Sequence, residues 1–286
     1  MASEEVLRLP SVRRLLDCGS ARAGVELAEV VRRGSPELAR TELVQPVLVA
    51  LALGLAEALE ARGEAPLAVA GHSLGELSAF AAAGCLAHEH AVELACARGA
   101  LMGEAARRSP GGMIGVRAES AVELEALLAS GRSSGHVLDV AAHNSPELWV
   151  LSGQLAATRA VEARGAVTRL PVAGPWHSRL MQDAERAWVE ALSEIPFAAP
   201  RVLLIANRTG LPVGPGDDLR ALLAGQLSAP VQWATSMRSL LVAGVARFVT
   251  VGPARMLRGL CRANLGPDAR IVAAVSLLAP SQERVA

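Results

Sequence analysis

The residues whose types and spacing best suit chemistry form the motif Gly71-His72-Ser73-Leu74-Gly75, a Gly-x-Ser-x-Gly pattern. A short apolar run over residues 65–70 precedes it, and a helical pattern beginning at Glu76 follows it. This order is typical of a nucleophile elbow, a tight strand-to-helix turn that exposes a serine at the end of a sheet. We expect a side chain at either glycine of the motif to collide with the crossing strand and helix. In a chain with 26 glycines, such a pattern can also arise by chance in a loop.

A serine nucleophile needs a base, and the chain offers six histidines. His72 adjoins Ser73, but neighbouring side chains on a sharp turn point apart, which makes it a poor proton acceptor. His177 follows a predicted strand and a Gly-Pro turn, a position that suits a functional side chain and, from the residues alone, a structural histidine equally well. The others are predicted to lie in a solvated turn (His88 and His90) or in a small separate unit (His136 and His143).

Arg98 is the third candidate and lies inside an apolar helical stretch, residues 94–102. Its guanidinium either reaches solvent along the helix surface or pairs with an anion in the interior. The residues alone leave both open, and the solvated arrangement is the more common for a lone helical arginine.

Composition narrows the class of protein. Of 286 residues, 51% are hydrophobic and only 2% aromatic, which predicts a large aliphatic core. The sequence contains no lysine, which excludes a lysine nucleophile, and its zero net charge argues against nucleic-acid or membrane-surface binding. The cysteines have neither metal-site nor disulfide spacing, so we expect no metal: Cys18, Cys85, Cys96 and Cys261.

The sequence also gives no sign of membrane targeting. The first residues carry no apolar signal segment, and the apolar run Val47–Leu59 is too short to cross a bilayer. We therefore expect a cytoplasmic protein.

Helical periodicity dominates the first third of the chain, and a β-α-β-β-α-β rhythm follows between residues 110 and 172. The last strand of that rhythm is predicted at Val167–Val172. This pattern predicts a small ferredoxin-like (split βαβ) subdomain at 110–172. It is inserted into a larger α/β-hydrolase-like subdomain, with a parallel sheet and the elbow, formed by residues 1–109 and 173–286.

Three ordered segments resemble one family. They are Gly71-His72-Ser73-Leu74-Gly75-Glu76, Arg98-Gly99-x-x-Met102 and Trp176-His177-Ser178-x-Leu180-Met181. In this order and at these separations they resemble the malonyl-CoA:acyl carrier protein transacylases, a family that includes the acyltransferase domains of polyketide synthases. The resemblance covers about residue 5 to residue 275. Further matching segments are Gln45-Pro46, Asn144-Ser145-Pro146, Val150-Leu151-Ser152-Gly153, Asn207-x-Thr209-Gly210, Gln226-Leu227-x-x-Pro230-Val231-x-Trp233 and Val251-Gly252-Pro253.

The resemblance implies a role for each matching residue. Ser73 is the acylated nucleophile, His177 is its general base, and the main-chain carbonyl of Gln226 holds the imidazole. Arg98 binds the free carboxylate of a malonyl group, and the N–H of Leu74 supplies one half of an oxyanion hole. Three further residues line the pocket: Gln45, Met102 and Trp176.

The implied activity is transfer of a malonyl group from malonyl-CoA to the phosphopantetheine thiol of an acyl carrier protein, in fatty-acid or polyketide synthesis. It requires no metal or redox cofactor. We expect a monomer that binds neither nucleic acid nor membrane. The carrier protein of this class has an acidic surface, and the basic residues that could meet it, although exposed arginines are usually only solvated, are Arg107, Arg108, Arg179 and Arg208.

Two departures from the family pattern carry expectations of their own. Family members open with a strand ending in Gly-Gln-Gly-Ser-Gln, whose glutamine N–H completes the oxyanion hole, and no such segment precedes the helical stretch Leu7–Leu16. Either the start of the sequence is incomplete, or a central strand and one oxyanion donor are missing, which predicts an unstable fold and slow acylation. Trp176 stands where many relatives have a smaller aromatic residue, which predicts unbranched malonyl over methylmalonyl.

Three alternatives remain open. A thioester hydrolase that acts on acyl carrier proteins would share the fold, but it would have little use for a buried arginine at position 98. An esterase of the α/β-hydrolase type would need a histidine near the C-terminus, and no histidine follows His177. The third alternative is a catalytically impaired module that only docks a carrier protein.

Overall fold

The computed structural model describes residues 2–34, 36–165, 167–253 and 255–279. Its helices are α1 (Glu4–Leu7), α2 (Pro10–Ala23), α3 (Leu27–Arg33), α4 (Thr41–Glu60), α5 (Gly75–Ala82), α6 (His88–Arg108), α7 (Ala121–Arg132), α8 (Leu155–Glu162), α9 (Gln182–Ser193), α10 (Leu219–Ala224), α11 (Trp233–Val242), α12 (Arg255–Leu265) and α13 (Ala274–Leu278). Its strands are β1 (Ala68–Ala70), β2 (Gly111–Arg117), β3 (Leu138–Ser145), β4 (Leu148–Gln154), β5 (Thr168–Arg169), β6 (Leu203–Ile205), β7 (Arg247–Thr250) and β8 (Arg270–Ala273).

Helices α2, α4 and α6 pack against one another and form much of the aliphatic core. Glycines allow the close approach: a Cβ on Gly54 of α4 would lie 2.6 Å from the Cα of Val12, and one on Gly99 of α6 would lie 2.6 Å from the carbonyl oxygen of Thr41. The approach at Gly99 brings the middle of α6 against the first turns of α4. Arg98 is thereby placed beside Gln45.

The apolar helix α4 is longer than the sequence pattern predicted. At 20 residues it is long and apolar enough to cross a membrane by length and composition, which corrects the expectation drawn from Val47–Leu59. Most of that length is buried inside the fold, against α2 and α6, as in the core helix of a globular protein.

The parallel strands form two separate pairs. β1 pairs with β6 and β7 pairs with β8, each in parallel register. A cavity of about 580 Å³ lies between β1 and β7 and is lined by the residues of both strands and by apolar side chains of α4 and α11. Within the described ranges, no strand pairs with the second edge of β1 or of β7. The predicted α/β class is confirmed, and the position expected for a central strand is open among these residues.

The small antiparallel sheet has the predicted β-α-β-β-α-β order. Its strands lie in the order β3-β4-β2-β5, and all neighbours are antiparallel. Helices α7 and α8 pack on it over a separate core that includes Ile114, Leu138 and Leu151. β5 is shorter than the predicted Val167–Val172, because Pro171 has no N–H to donate to a neighbouring strand. All four strands fall inside 110–172, and the division into two folding units at these limits stays a prediction.

One connection between the small sheet and the parallel strands bears on the site. The N–H of His143 donates to the carbonyl of Val231 (2.9 Å), and the N–H of Val231 donates to the carbonyl of Ala141 (2.9 Å). The amide of Asn264 on α12 donates to the carbonyl of Asn144 (2.7 Å). The end of β3 is thereby fixed to α12 and to the segment that precedes α11.

Candidate active site

Ser73 lies on a sharp turn between β1 and α5. Its φ of 52° is in the left-handed region, which non-glycine residues seldom adopt. A Cβ on Gly71 would overlap the carbonyl group of Gly75, so the turn requires glycine at position 71. A Cβ on Gly75 would meet nothing within 4 Å, so the predicted collision at Gly75 is wrong. Strained backbone of this kind clusters at functional sites.

His177 lies across from the serine and also has a left-handed backbone, with φ 59°. Its Nε2 lies 2.7 Å from Oγ of Ser73. Its Nδ1 lies 2.9 Å from the carbonyl oxygen of Gln226 and 3.1 Å from that of Ala229. Because carbonyl oxygens only accept, Nδ1 carries the proton and Nε2 faces the serine with a free lone pair.

The imidazole is buried and electrically neutral. Burial, followed by the positive charge of Arg98, lowers the pKa of His177 to about 3. The carbonyl oxygens that accept from Nδ1 act in the opposite direction but do not overcome the loss of hydration. The ring is therefore available as a proton acceptor at neutral pH.

Arg98 is buried at the centre of the site, with 2% of its surface exposed. Its Nη1 donates to Oε1 of Gln45 (2.8 Å), and its Nη2 donates to Oε1 of Gln226 (2.7 Å) and lies 3.3 Å from Oγ of Ser73. Burial lowers the pKa of Arg98 to about 10, which leaves the guanidinium charged at neutral pH. The solvated arrangement does not occur. The side-chain acceptors around the guanidinium are uncharged: the amides of Gln45 and Gln226 and the hydroxyl of Ser73.

The residues predicted to line the pocket occupy two places. Gln45 is buried on α4, and its Nε2 lies 2.7 Å from Oγ1 of Thr41 and 3.3 Å from Sδ of Met102. These contacts put Gln45 and Met102 beside the guanidinium. Trp176 is also buried, and its ring packs close to Gly174. The roles predicted for Gln45, Met102 and Trp176 stay predictions.

The N–H of Leu74 is at the N-terminal end of α5, directly after the serine. The N–H of Ser73 itself donates to Oδ1 of Asn207 (2.7 Å) and is therefore occupied. In the described part of the chain, no acceptor takes the N–H of Leu74. A free amide at a helix N-terminus can stabilise an oxyanion.

Sequence reasoning gave no role to two buried residues under the elbow. Asn207 follows β6, and its Nδ2 donates to the carbonyl of Gly71 (2.5 Å) while its Oδ1 accepts from Ser73. Glu76 accepts from the backbone N–H of Asn207 (2.7 Å) and from Nε2 of Gln226 (2.7 Å). A polar residue directly after a buried strand was the available signal for Asn207.

Three of the remaining histidines contact residues other than Ser73. Nε2 of His72 lies 2.8 Å from Oδ1 of Asn144, so this ring faces β3. His88 and His90 are in the first turn of α6, where Nδ1 of His88 lies 2.5 Å from Oε1 of Glu57, which corrects the predicted solvated turn. His143 stacks on Trp149 with ring centroids 3.7 Å apart.

Three of the four surface arginines suggested for carrier-protein contact form ion pairs within the chain. Arg107 pairs with Glu42 and Glu104, and Arg108 also pairs with Glu104. Arg179 pairs with Asp139. An incoming acidic surface would have to compete with these carboxylates.

Comparisons with known proteins cover nearly the whole chain. Residues 3–275 match the family model described as acyl transferase domain. The chain is 31% identical to the malonyl CoA-acyl carrier protein transacylase of Bacillus subtilis strain 168 over 270 residues, which cover 92% of this chain and 85% of that protein.

Solved structures are similar over the same extent. The malonyl CoA-acyl carrier protein transacylase of Coxiella burnetii superposes with a TM-score of 0.85 and 29% identity, over 95% of this chain and 88% of that one. The acyltransferase domain from the second module of the salinomycin polyketide synthase superposes with a TM-score of 0.83 and 34% identity, over 96% of this chain and 65% of that one.

Proposed function

This chain belongs to the acyl transferase domain family, and we propose that it moves a malonyl group from CoA to the phosphopantetheine thiol of an acyl carrier protein. The transfer serves fatty-acid or polyketide synthesis. One observation carries the proposal beyond family membership. A buried guanidinium, bonded only to neutral side-chain acceptors, lies 3.3 Å from the hydroxyl of Ser73, where it can receive the carboxylate of a malonyl group.

In the first half-reaction, Oγ of Ser73 bonds to the thioester carbonyl carbon while its proton passes to Nε2 of His177. The carbonyl oxygen becomes an oxyanion, which the N–H of Leu74 stabilises. The carbon–sulfur bond then breaks, and the imidazolium returns the proton to the sulfur of CoA. The products are CoA and a malonyl ester on Ser73.

The second half-reaction runs through the same groups. The phosphopantetheine thiol gives its proton to His177, and its sulfur bonds to the ester carbonyl carbon. The bond to Oγ of Ser73 breaks, and the proton returns to the serine. Protons and electron pairs balance between the chain and its substrates, so we propose no metal or redox cofactor for the reaction.

Selection of the acyl group falls to the residues around the guanidinium. Arg98 holds the carboxylate through its planar fork, and Gln45 fixes one arm of that fork. Met102 and Trp176 supply apolar walls, and the bulk of Trp176 favours malonyl over methylmalonyl. We propose that the protein acts as a cytoplasmic monomer whose macromolecular partner is the carrier protein, with no nucleic acid and no membrane involved.

Two alternatives differ from the transferase in what happens at Ser73. A catalytically impaired docking module would form no ester on Ser73. A thioester hydrolase would release the acyl group to water, and an uncharged acyl chain gains nothing from the buried guanidinium of Arg98.

The test is to incubate the folded protein with malonyl-CoA, locate the adduct by mass spectrometry and then add a carrier protein that bears phosphopantetheine. We expect malonyl on Ser73, none in Ser73→Ala, and transfer to the carrier protein faster than release of free malonate. Faster release of malonate would identify a hydrolase. Folded protein without any adduct would identify the docking module.

A further inference from the structure

We propose that Glu76 is a positioning residue. It fixes the side-chain amide of Gln226 with its oxygen toward Arg98, and it thereby sets the preference of the site for acyl groups that carry a carboxylate. This inference rests on the proposed function of the site. Glu76 is the second residue of α5, and its side chain is fully buried.

Both oxygens of the Glu76 carboxylate are used as acceptors. Oε1 accepts from the backbone N–H of Asn207 (2.7 Å), and Oε2 accepts from Nε2 of Gln226 (2.7 Å). A carboxylate without a proton satisfies both donors, whereas a protonated acid would place a hydroxyl against one of them. Burial raises the pKa of Glu76 to about 7, and the charges of Arg98 and Arg208 act in the opposite direction, along with the two hydrogen bonds.

Gln226 can bind at both ends of its amide in only one orientation. Its Oε1 accepts from Arg98, while its Nε2 donates to Glu76 and to the main-chain oxygen of Ser73 (2.7 Å). Turned over, the amide would point its NH₂ at the guanidinium and its oxygen at two acceptors. The two ends of an amide are nearly equal in shape, so hydrogen-bond partners decide the orientation.

As a consequence, the charged guanidinium of Arg98 is held in place by uncharged amide oxygens. Gln45 and Gln226 each present an amide oxygen to one arm, and neither neutralises the charge. When ionised, Glu76 places a negative charge one amide further away, where it favours the charged guanidinium without binding to it. The guanidinium therefore remains available to bind the carboxylate of the substrate.

The test compares acylation by malonyl-CoA and acetyl-CoA in Glu76→Gln and Glu76→Asp. In Glu76→Gln, the new NH₂ group faces one of the two donors, which frees Gln226 to turn. We expect the ratio of kcat/KM for malonyl-CoA to that for acetyl-CoA to fall about tenfold, the size of one charge-assisted hydrogen bond, because the loss is larger for malonyl-CoA than for acetyl-CoA. Glu76→Asp keeps the charge and should recover part of the ratio.

A matched control separates selectivity from stability. Ser20→Ala removes another buried hydrogen-bonding side chain, which bonds Leu16 and Leu27 far from the site. Its melting temperature should fall while its malonyl-to-acetyl ratio stays at the wild-type value. A purely structural role for Glu76 would make Glu76→Gln behave in the same way.

A crystal structure of Glu76→Gln gives a second readout that does not depend on activity. We expect the guanidinium of Arg98 to leave its position beside Gln226. An unchanged ratio, or an unmoved guanidinium, would overturn the role of Glu76. If the wild-type protein forms no malonyl ester, the proposed function fails, and the position of Arg98 in the variant still decides the inference.

Discussion

The structure differs on the two sides of β1, which we call the elbow side, where Ser73 lies, and the cavity side, where the edge of β1 faces β7. On the elbow side, half-buried Ser73 and buried His177, Arg98 and Gln226 form a polar cluster joined by hydrogen bonds of 2.7 to 3.3 Å. On the other side, the edge of β1 faces a cavity of about 580 Å³, with β7 across it. Within the described ranges, neither of these edges has a strand partner.

This difference between the elbow side and the cavity side shows that the proposed reaction has two structural requirements. The side-chain groups need only the elbow, α4, α6 and the loops before α9 and α11 to hold them. A second backbone donor to the oxyanion, and the cooperativity of a continuous sheet, require neighbouring strands. The elbow side therefore predicts that the serine can be acylated, and the cavity side predicts that a strand placed between β1 and β7 would speed acylation and stabilise the fold.

The largest expected effect comes from disrupting the elbow side of β1. His177→Ala removes the proton acceptor for Ser73 and should slow formation of the malonyl ester by about 10³-fold, within the range of general-base catalysis. The rate is measured by quenched-flow mass spectrometry of the Ser73 peptide. His88→Ala, which loses only a contact to Glu57 on α4, is the control and should keep the wild-type rate. A His177→Ala protein that acylates at the wild-type rate would leave the serine without its proposed base.

The second largest expected effect comes from adding a strand on the cavity side of β1. A variant with a flexible linker and an apolar strand ending in Gly-Gln-Gly-Ser-Gln fused before the first residue should fill the space between β1 and β7. We expect a higher melting temperature and about 10²-fold faster acylation, the value of one oxyanion donor. The control is the same fusion with proline at alternate strand positions, because proline cannot donate to a ladder. Equal melting temperatures and rates in the two fusions would show that the cavity does not accept a strand.

A smaller effect is expected when the planar guanidinium of Arg98 is replaced. Arg98→Lys keeps a positive charge but loses the planar pair of donors, so it should bind a carboxylate through one contact. We expect the malonyl-to-acetyl ratio of kcat/KM to fall roughly 30-fold. Arg107→Lys, on the exposed end of α6, should leave the ratio unchanged. Equal ratios in both variants would remove Arg98 from carboxylate recognition.

Much of the fold could be predicted because its signals are local. The β-α-β-β-α-β order of the small sheet follows from short apolar runs that alternate with helical periods. β8 was not predicted, since the run Arg270–Ala273 is only four residues long and its partner is the equally short β7. The collision predicted at Gly75 was wrong because the crossing backbone crowds Gly71 alone.

In the candidate site, only residues whose type and local sequence are characteristic of a function could be predicted. A serine between glycines and a histidine before a helix are visible in a sequence. The buried contacts of Glu76 are different, because its partners Asn207 and Gln226 are 131 and 150 residues away. Glu76 alone looks like an ordinary acidic residue in the first turn of a helix.

The smallest expected effect is the pH dependence of acylation with acetyl-CoA. Burial lowers the pKa of His177 to about 3, so the neutral base persists in mild acid, and the rate should change by less than about twofold between about pH 5 and 7. An ordinary histidine with a pKa of about 6.5 would lose roughly 30-fold of its neutral form at pH 5. Acetyl-CoA is the substrate of choice because the titration of Glu76 bears on malonyl recognition.

The contribution of His177 to stability should change over the same range even though the acetyl-CoA rate does not. The raised pKa of Glu76, about 7 in the folded chain, acts in the opposite direction between about pH 4.5 and 7. The unfolded chain binds a proton at His177 near pH 6.5, whereas the folded chain does so only near pH 3. The contribution of this histidine to the free energy of unfolding is therefore complete above pH 6.5 and is lost as the pH falls toward 3. Rates are compared only where circular dichroism shows folded protein. An inflection of the acetyl-CoA rate near pH 6.5 in folded protein would mean that His177 is hydrated, and that the elbow side of β1 is as open as the cavity side.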